Sequence, residues 1–179
     1  MSIFKSNLMD DKAVLRCLAR MSHEIIERNK GAENTVLIGI KRRGAPIAEI
    51  ISKNIEKIEG KPVECGFIDI NFYRDDIELN QNVPVVRKCD LPFSIVDKKV
   101  IIVDDVLYTG RTVRAAIEAV FSLGRPSMIQ LAILVDRGHR ELPFRADYIG
   151  KAIATSKKEF IKVRIPPYDP DCGVDLYER

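Results

Sequence analysis

Residues 100–112 read Val100-Ile-Ile-Val-Asp-Asp-Val-Leu-Tyr-Thr-Gly-Arg-Thr112. The apolar run that opens this stretch is typical of a buried strand. Two adjacent carboxylates, Asp104 and Asp105, follow the run, and the turn Thr109–Thr112 precedes a segment with apolar residues at helical spacing. The pattern predicts a strand, a turn and a helix, with polar groups at the carboxyl end of the strand, where open parallel sheets bind their ligands.

The turn has the features of a phosphate site. Gly110 lets the backbone approach a phosphate closely, and the free N–H groups at a helix start attract an anion. Thr109 and Thr112 add hydroxyl donors, while Asp104 and Asp105 can accept hydrogen bonds from neighbouring ribose hydroxyls. Any one of these features alone would favour an ordinary capped helix. Together they favour a site for a ribose 5-phosphate that carries a pyrophosphate.

Other phosphate and metal sites fit the sequence less well. A P-loop requires a lysine that this turn lacks, and the G-x-G-x-x-G of a dinucleotide fold is absent from the chain. Phospho-acceptor receivers also have paired acids, but there no phosphate-binding turn follows at once. The four cysteines include no C-x-x-C pair, so we expect no structural zinc.

The rest of the chain predicts an α/β fold in a single domain, residues 1–179. Strands alternate with helices, which favours a mainly parallel sheet flanked by helices. The polar stretch at about 71–92 is predicted to be a long mobile loop. The predicted helices are 11–29, one with an apolar face from Ile47 to Ile58, and one from Val113 that ends at Gly124; the predicted strands are 35–40, 63–70, 100–103, 128–135, 146–149 and 160–165.

Composition narrows the class of protein. The chain has 179 residues, 46% of them hydrophobic, and a formal net charge of +3. That charge is too small to indicate nucleic-acid binding by itself. No apolar stretch reaches the roughly 18 residues that a transmembrane helix needs, and the first residues lack the apolar core of a signal peptide. We therefore expect a cytoplasmic protein with no membrane contact.

Residues 100–112 resemble the phosphoribosyl pyrophosphate signature of type I phosphoribosyltransferases. The resemblance implies the type I fold, in which a small hood covers the base. It also implies Mg²⁺ as the cofactor, held mainly by the pyrophosphate and ribose oxygens, with Asp104 and Asp105 as the only candidate protein ligands. The implied donor-binding residues are Val106, Leu107, Tyr108, Thr109, Gly110, Arg111 and Thr112.

Two further segments match parts of the same family. Lys41-Arg42-Arg43-Gly44 could be a solvated basic turn, but it resembles the family's pyrophosphate loop, with Arg43 and Gly44 as the matching pair. Phe72-Tyr73-Arg74 opens the long polar segment, where the family has a loop that closes over the active site. The resemblance implies that closure excludes water and brings Arg74 to the pyrophosphate.

The segment Val135-Asp-Arg-Gly-His-Arg-Glu-Leu-Pro143, with residues 145–151 and 155–157, closely resembles the bifunctional pyrimidine operon regulator/uracil phosphoribosyltransferase family, called PyrR. The resemblance implies that uracil and phosphoribosyl pyrophosphate give UMP and pyrophosphate. It places the hood at about 136–165, with the N-terminal helix packed on it, and the base near Arg137, Gly138 and Ile161. The proline-rich segment 164–173 and Ala19 depart from the family pattern.

Basic residues support a second activity. Arg16, Arg20 and His23 share one face of the first predicted helix, a pattern that alone would indicate a solvated surface. The family implies that such residues line a basic face of a homo-oligomer, dimer or tetramer, that binds a pyrimidine-operon mRNA leader when UMP is present. The residues so implied are Arg16, Arg20, His23, Arg28, His139, Arg140, Arg145, Lys151 and Lys157.

Three alternatives stay open at this point. The chain could be a purely catalytic salvage enzyme without RNA binding. It could be a regulator with little catalysis, which the intact Asp104-Asp105 pair and phosphate turn disfavour. It could also be a purine phosphoribosyltransferase, which the predicted hood at 135–151 disfavours.

Overall fold

The computed structural model describes residues 2–71 and 85–179. Nine strands and three helices occur in this part of the chain. In chain order they are β1 (Ile3–Met9), α1 (Asp11–Asn29), β2 (Thr35–Lys41), α2 (Gly44–Glu59), β3 (Glu64–Asn71), β4 (Val85–Asp90), β5 (Lys99–Leu107), α3 (Arg111–Leu123), β6 (Met128–Asp136), β7 (Tyr148–Ala152), β8 (Glu159–Arg164) and β9 (Gly173–Glu178).

The larger sheet has the strand order β4-β3-β2-β5-β6-β7. Its last five strands run parallel, and β4 pairs antiparallel with β3 at one edge. Alternate residues of β5 point to opposite faces: Ile101 packs in the core with α1 and α2, and Ile102 packs with α3. The predicted parallel sheet with helices on both faces is therefore confirmed.

Local signals define the helix ends. The Asp10 carboxylate accepts a hydrogen bond from the Ala13 N–H at 2.7 Å and caps the start of α1. Gly60 adopts φ +72° after α2, and its N–H donates to the Glu56 carbonyl at 2.8 Å. The predicted bounds of α1, 11–29, agree with the structure.

The structure differs from the prediction in the segment expected to be a loop at 71–92. Asn71 ends β3, and Val85–Asp90 forms β4 against β3. Pro84 and Pro92 flank this short strand, so the sequence around it has the composition of a loop. Residues 72–84, including Arg74, lie outside the described residues.

Three strands form a second sheet in the order β1-β9-β8, all antiparallel. Neither β1 nor β9 was predicted. Of the strands in the range expected to form the hood, 136–165, β8 belongs to this second sheet, whereas β7 lies at the edge of the larger sheet. Most of β1 is exposed and carries no clear apolar alternation. Its strand form depends on pairing with β9, which is about as far away in sequence as the chain allows.

No helix in the two described ranges combines the length and the apolarity that crossing a bilayer requires.

Candidate active site

The loop between β2 and α2 packs directly on the end of β5. A Cβ atom on Gly44 would lie 2.5 Å from the Val103 carbonyl oxygen and 3.1 Å from the Asp104 Cα. Only glycine permits this contact. The Lys41–Arg42 peptide bond in the loop is cis. The predicted pyrophosphate loop, residues 41–44, therefore lies beside the two predicted ribose-binding acids.

Asp104 and Asp105 belong to β5 rather than to the turn after it, because pairing with β6 continues to Leu107. The Asp104 carboxylate accepts the Asp105 N–H at 2.9 Å, and the Asp105 carboxylate accepts the Val106 N–H at 2.8 Å. Burial, and then the charge of Asp105, raise the pKa of Asp104 well above its usual range. Two such close carboxyls favour nearby cations and hydroxyl donors.

Arg43 influences one of these acids, Asp105. Burial raises the pKa of Asp105, while the hydrogen bonds from Asp104 and the Val106 N–H, together with the positive charge of Arg43, oppose that rise. The guanidinium is itself paired with Asp169, its Nε and Nη2 lying 3.0 and 3.1 Å from the two carboxylate oxygens. Asp169 lies in the proline-rich segment, for which the sequence indicated no role.

The predicted phosphate turn has the geometry of an anion site. Gly110 adopts φ +95° at the start of α3, and a Cβ there would lie 3.1 Å from the Phe144 ring. The first amides of α3 have no carbonyl partner within the helix. The Arg111 side chain pairs with Glu141, with Nη2 at 2.7 Å, so its guanidinium has a partner inside the protein. The structure thus brings the acids, the turn and the pyrophosphate loop together.

The segment after β6 is organised by Arg137, which is 6% exposed. Its Nη2 donates to the Glu159 carbonyl at 2.7 Å, and its Nε donates to the Thr155 hydroxyl at 3.1 Å. The guanidinium lies 4.0 Å from the centroid of the Tyr108 ring. These contacts occupy the Arg137 side chain with partners inside the protein.

Ile161, the third predicted base-binding residue, lies in β8. It is partly buried against the core cluster that α1 and α2 share. Its role at the base remains a prediction. No sequence pattern predicted that Thr155 and Glu159 anchor Arg137, because these hydrogen bonds join residues 18 and 22 positions apart in the chain.

Five of the residues predicted to bind RNA have partners within the protein. Arg20 donates to the carbonyls of Ile149 and Gly150 at 3.1 and 2.6 Å and pairs with Glu24. The other four partnerships are Arg28 with Asp147, Arg140 with Asp136, His139 with the Thr155 carbonyl, and Lys151 with the Leu8 carbonyl.

The remaining four residues, Arg16, His23, Arg145 and Lys157, are exposed, and their side chains make no hydrogen bond or ion pair with the described residues. The contacts of Arg20 place α1 directly beside β7. The basic face of α1 and the basic segment 145–151 therefore lie on adjoining surface. This arrangement is compatible with one continuous basic face.

The four cysteines are free thiols. Burial raises the pKa of Cys65 to about 12 and is the main cause that raises the pKa of Cys172 to about 11. Thiolates are the nucleophilic form of cysteine. These two thiols are therefore protonated at neutral pH.

Comparison with known proteins agrees with this geometry. The family model described as phosphoribosyl transferase domain matches residues 5–166. A bifunctional protein PyrR of Clostridium botulinum is 60% identical, over 97% of each chain. The corresponding protein of Clostridioides difficile is 58% identical, over 97% of this chain and 98% of its own.

Solved structures of lower identity share the fold. A hypoxanthine phosphoribosyltransferase of Trypanosoma cruzi is 21% identical with a TM-score of 0.78, over 99% of this chain and 96% of its own. A hypoxanthine-guanine phosphoribosyltransferase of Bacillus anthracis is 20% identical with a TM-score of 0.74, over 96% of this chain and 97% of its own. These matches confirm the type I phosphoribosyltransferase fold. The chain belongs to the phosphoribosyl transferase domain family and, within it, to the bifunctional PyrR proteins.

Proposed function

We propose that the chain is a Mg²⁺-dependent uracil phosphoribosyltransferase that also regulates pyrimidine synthesis by binding mRNA. One observation carries the enzymatic part: the loop 41–44, the acids of β5 and the phosphate turn adjoin one another at one end of the sheet. Phosphoribosyl pyrophosphate presents a pyrophosphate, two ribose hydroxyls and a 5-phosphate in the same order. A cytoplasmic location is part of the proposal, because the donor and nascent mRNA occur there.

In the proposed reaction, the bond between ribose C1 and the pyrophosphate oxygen breaks, and that oxygen keeps the electron pair. The sugar develops oxocarbenium character until N1 of uracil bonds to C1, and the N1 proton passes to the departing pyrophosphate or to water. Asp104 and Asp105 hold the ribose hydroxyls, and the start of α3 holds the 5-phosphate. Arg43 and the amides of its loop stabilise the charge that builds up on the leaving group.

The carboxylates of Asp104 and Asp105 fit the preference of Mg²⁺ for oxygen ligands. The described residues contain no cluster of three or more metal-binding side chains. Substrate oxygens would therefore supply most of the coordination, and the bound ion would spread the negative charge of the departing pyrophosphate. The role of Arg74 as a further pyrophosphate contact remains a prediction outside the described residues.

Uracil is the proposed acceptor because the segment 135–157 resembles that of the PyrR family. The backbone of Arg137 and Gly138 offers donors and acceptors to the polar edge of a pyrimidine. Arg137 itself is fixed by Thr155 and Glu159, so this backbone is held rigid. Rigid polar groups reject a base whose own groups do not match them.

The catalytic proposal is tested with purified protein, Mg²⁺, phosphoribosyl pyrophosphate and either uracil, hypoxanthine or guanine. We expect UMP from uracil and no purine nucleotide. Asp105→Asn removes a charged hydrogen-bond acceptor, so kcat/KM for the donor should fall about 10- to 100-fold. Glu118→Gln, in an exposed pair on α3, is the matched control and should change nothing.

Two outcomes would contradict the catalytic proposal. Wild-type protein that forms no nucleotide from any of the three bases would show that it is not the enzyme proposed. Nucleotide formation from hypoxanthine or guanine, but not from uracil, would instead establish the purine alternative.

For regulation, we propose that a homo-oligomer, dimer or tetramer, binds a stem-loop of the pyrimidine mRNA leader and that UMP promotes this binding. The adjoining basic surfaces of α1 and residues 145–151 support the proposal. Exposed cations such as Arg16 and Lys157 would contact phosphates, so affinity would fall steeply with salt. Unpaired loop bases would supply specificity.

The RNA proposal is tested by titrating the leader RNA and an unrelated RNA of equal length, with and without UMP, at two salt concentrations. Arg16→Ala should weaken leader binding and lower the salt slope by about one phosphate contact. Arg114→Ala is the matched control, because Arg114 is exposed on α3, on the opposite face of the sheet. Equal affinity for both RNAs would leave the purely catalytic enzyme as the better description.

A further inference from the structure

Arg43 of the pyrophosphate loop forms a bidentate salt bridge with Asp169, in the C-terminal part of the chain. Its Nε and Nη2 lie 3.0 and 3.1 Å from the two oxygens of the Asp169 carboxylate. The two residues are 126 positions apart in sequence. Such parallel contacts fix both the position and the plane of a guanidinium, which a single contact does not.

Asp169 is well placed to act as the fixed partner. Its side chain is 11% exposed, against 30% for that of Arg43. The carboxylate also accepts the Ile165 N–H at 3.0 Å, so it is anchored within its own turn. The hydrogen bonds from Arg43 lower the pKa of Asp169, which keeps the carboxylate charged.

The pair leaves much of the guanidinium available for a ligand. Arginine has five N–H donors, and Asp169 engages one at Nε and one at Nη2. Within residues 2–71 and 85–179, Nη1 makes no hydrogen bond. Gly44, the residue after Arg43, packs against Val103 and Asp104, so Arg43 lies beside the end of the strand that carries the two acids.

We propose that Asp169 is a positioning residue, which orients Arg43 so that the unused edge of its guanidinium meets the pyrophosphate. The proposal rests on the proposed function, in which Arg43 contacts that group. A long arginine side chain loses considerable rotamer freedom when a ligand immobilises it. Asp169 imposes that order before binding, so the pyrophosphate meets a guanidinium that is already oriented.

The test compares Asp169→Ala with wild type in two assays: steady-state kinetics, and calorimetric titration with Mg²⁺-pyrophosphate. Asp169→Ala should raise KM for phosphoribosyl pyrophosphate and Kd for pyrophosphate by about 3- to 30-fold, since ordering one long side chain has an effect of this size. KM for uracil should stay unchanged. Asp169→Asn, which keeps an acceptor for Arg43 but loses the charge, should give an intermediate effect.

Two further variants separate positioning from a general structural role. Asp171→Asn alters another acid of the same segment, which pairs with Arg164, and should leave both assays at wild-type values. In an Arg43→Ala background, Asp169→Ala should weaken pyrophosphate binding by no further measurable factor, because Asp169 is proposed to act only through Arg43.

The possible outcomes are distinct. Unchanged or tighter pyrophosphate binding by Asp169→Ala would overturn the positioning role, since the carboxylate would then merely neutralise Arg43. If Asp169→Ala weakens pyrophosphate binding by the same factor in the Arg43→Ala background, the positioning role is also overturned. It is overturned as well if the wild type binds no pyrophosphate. If wild type binds pyrophosphate but forms no UMP, the proposed function fails while the titration still decides the role of Asp169.

Discussion

Asp136, the last residue of β6, ties three parts of the active-site region together. Its carboxylate accepts hydrogen bonds from the Arg140 guanidinium and from the Gly138 N–H. Arg140 also donates to the Tyr108 carbonyl at 2.8 Å and to the Phe144 carbonyl at 3.0 Å. One ion pair therefore connects the phosphate turn, the end of β6 and the segment that follows it.

The pKa of Asp136 sets the pH dependence of the stability that the Asp136–Arg140 ion pair contributes to the fold. Burial acts to raise the pKa, but the hydrogen bonds from Arg140 and the Gly138 N–H outweigh burial and lower it. The folded-state pKa thus lies below the unfolded value of about 3.9. The pair stabilises the fold above that value, and the stabilisation is lost as pH falls through the folded pKa.

Asp136→Asn should lower the free energy of unfolding at pH 7 by about 1–3 kcal/mol, because a charged hydrogen-bond partner is lost. The difference from wild type should shrink at pH 3, which lies below the unfolded pKa, because protonation of Asp136 in the unfolded wild-type chain then offsets part of the stability that the charge contributes. Urea unfolding of both proteins at pH 7 and at pH 3 measures this difference in the free energy of unfolding. Glu118→Gln, in an exposed pair, should cost less than about 1 kcal/mol at either pH. A difference that does not depend on pH would contradict the linkage.

At the scale of elements, α1 is joined to the sheet through a buried polar cluster. The cluster consists of Asn29 at the end of α1, Gln130 in β6 and Tyr148 in β7, which are 8%, 4% and 2% exposed. The Tyr148 hydroxyl donates to Gln130 Oε1 at 2.9 Å and accepts from Asn29 Nδ2 at 2.9 Å. These bonds fix the register of α1 against β7, which brings the basic surfaces together.

Tyr148→Phe should lower the free energy of unfolding by about 1–2 kcal/mol, because Asn29 and Gln130 each lose a buried hydrogen-bond partner. Thermal or urea unfolding measures the change. Tyr168→Phe is the matched control, since Tyr168 is 44% exposed, and should stay within about 0.5 kcal/mol of wild type. Equal stability of the two variants would show that the cluster contributes no net stabilisation.

At the scale of the whole molecule, the second sheet depends on β9, which lies between β1 and β8. Val174 of this strand is fully buried in the core cluster that α1 and α2 share. Asp175, which is 5% exposed, accepts hydrogen bonds from Asn7 and Arg164 at 2.8 and 2.9 Å. The strand thus holds two distant parts of the chain against one core.

Deleting residues 166–179 should therefore prevent cooperative folding, because β1 and β8 lose their common partner and the core is opened. Near-ultraviolet circular dichroism and thermal unfolding measure the loss. Removal of Arg179 alone is the control and should keep a cooperative transition close to that of wild type. A truncated chain that still unfolds cooperatively near the wild-type temperature would show that the larger sheet and its helices suffice.

Much of the fold was predictable from the sequence, because the relevant signals are local. The apolar faces of α1, α2 and α3 and the buried runs of β2, β5 and β6 repeat with the period of their own element. The strands β1, β4 and β9 carry no such signal. They lie at an edge or in a small sheet, where pairing with a distant strand, rather than composition, makes a segment extended.

For the site, residues 100–112 by themselves determined that a strand ends with two acids, Asp104 and Asp105, and that a phosphate-binding turn, residues 109–112, follows it. The order of residue types sets that local geometry. Tertiary structure alone decided that Arg43 is held by Asp169 and that Arg137 is occupied by Thr155 and Glu159. These contacts join residues far apart in the chain, so no local pattern encodes them, and only the packing of the two sheets brings them within hydrogen-bond distance.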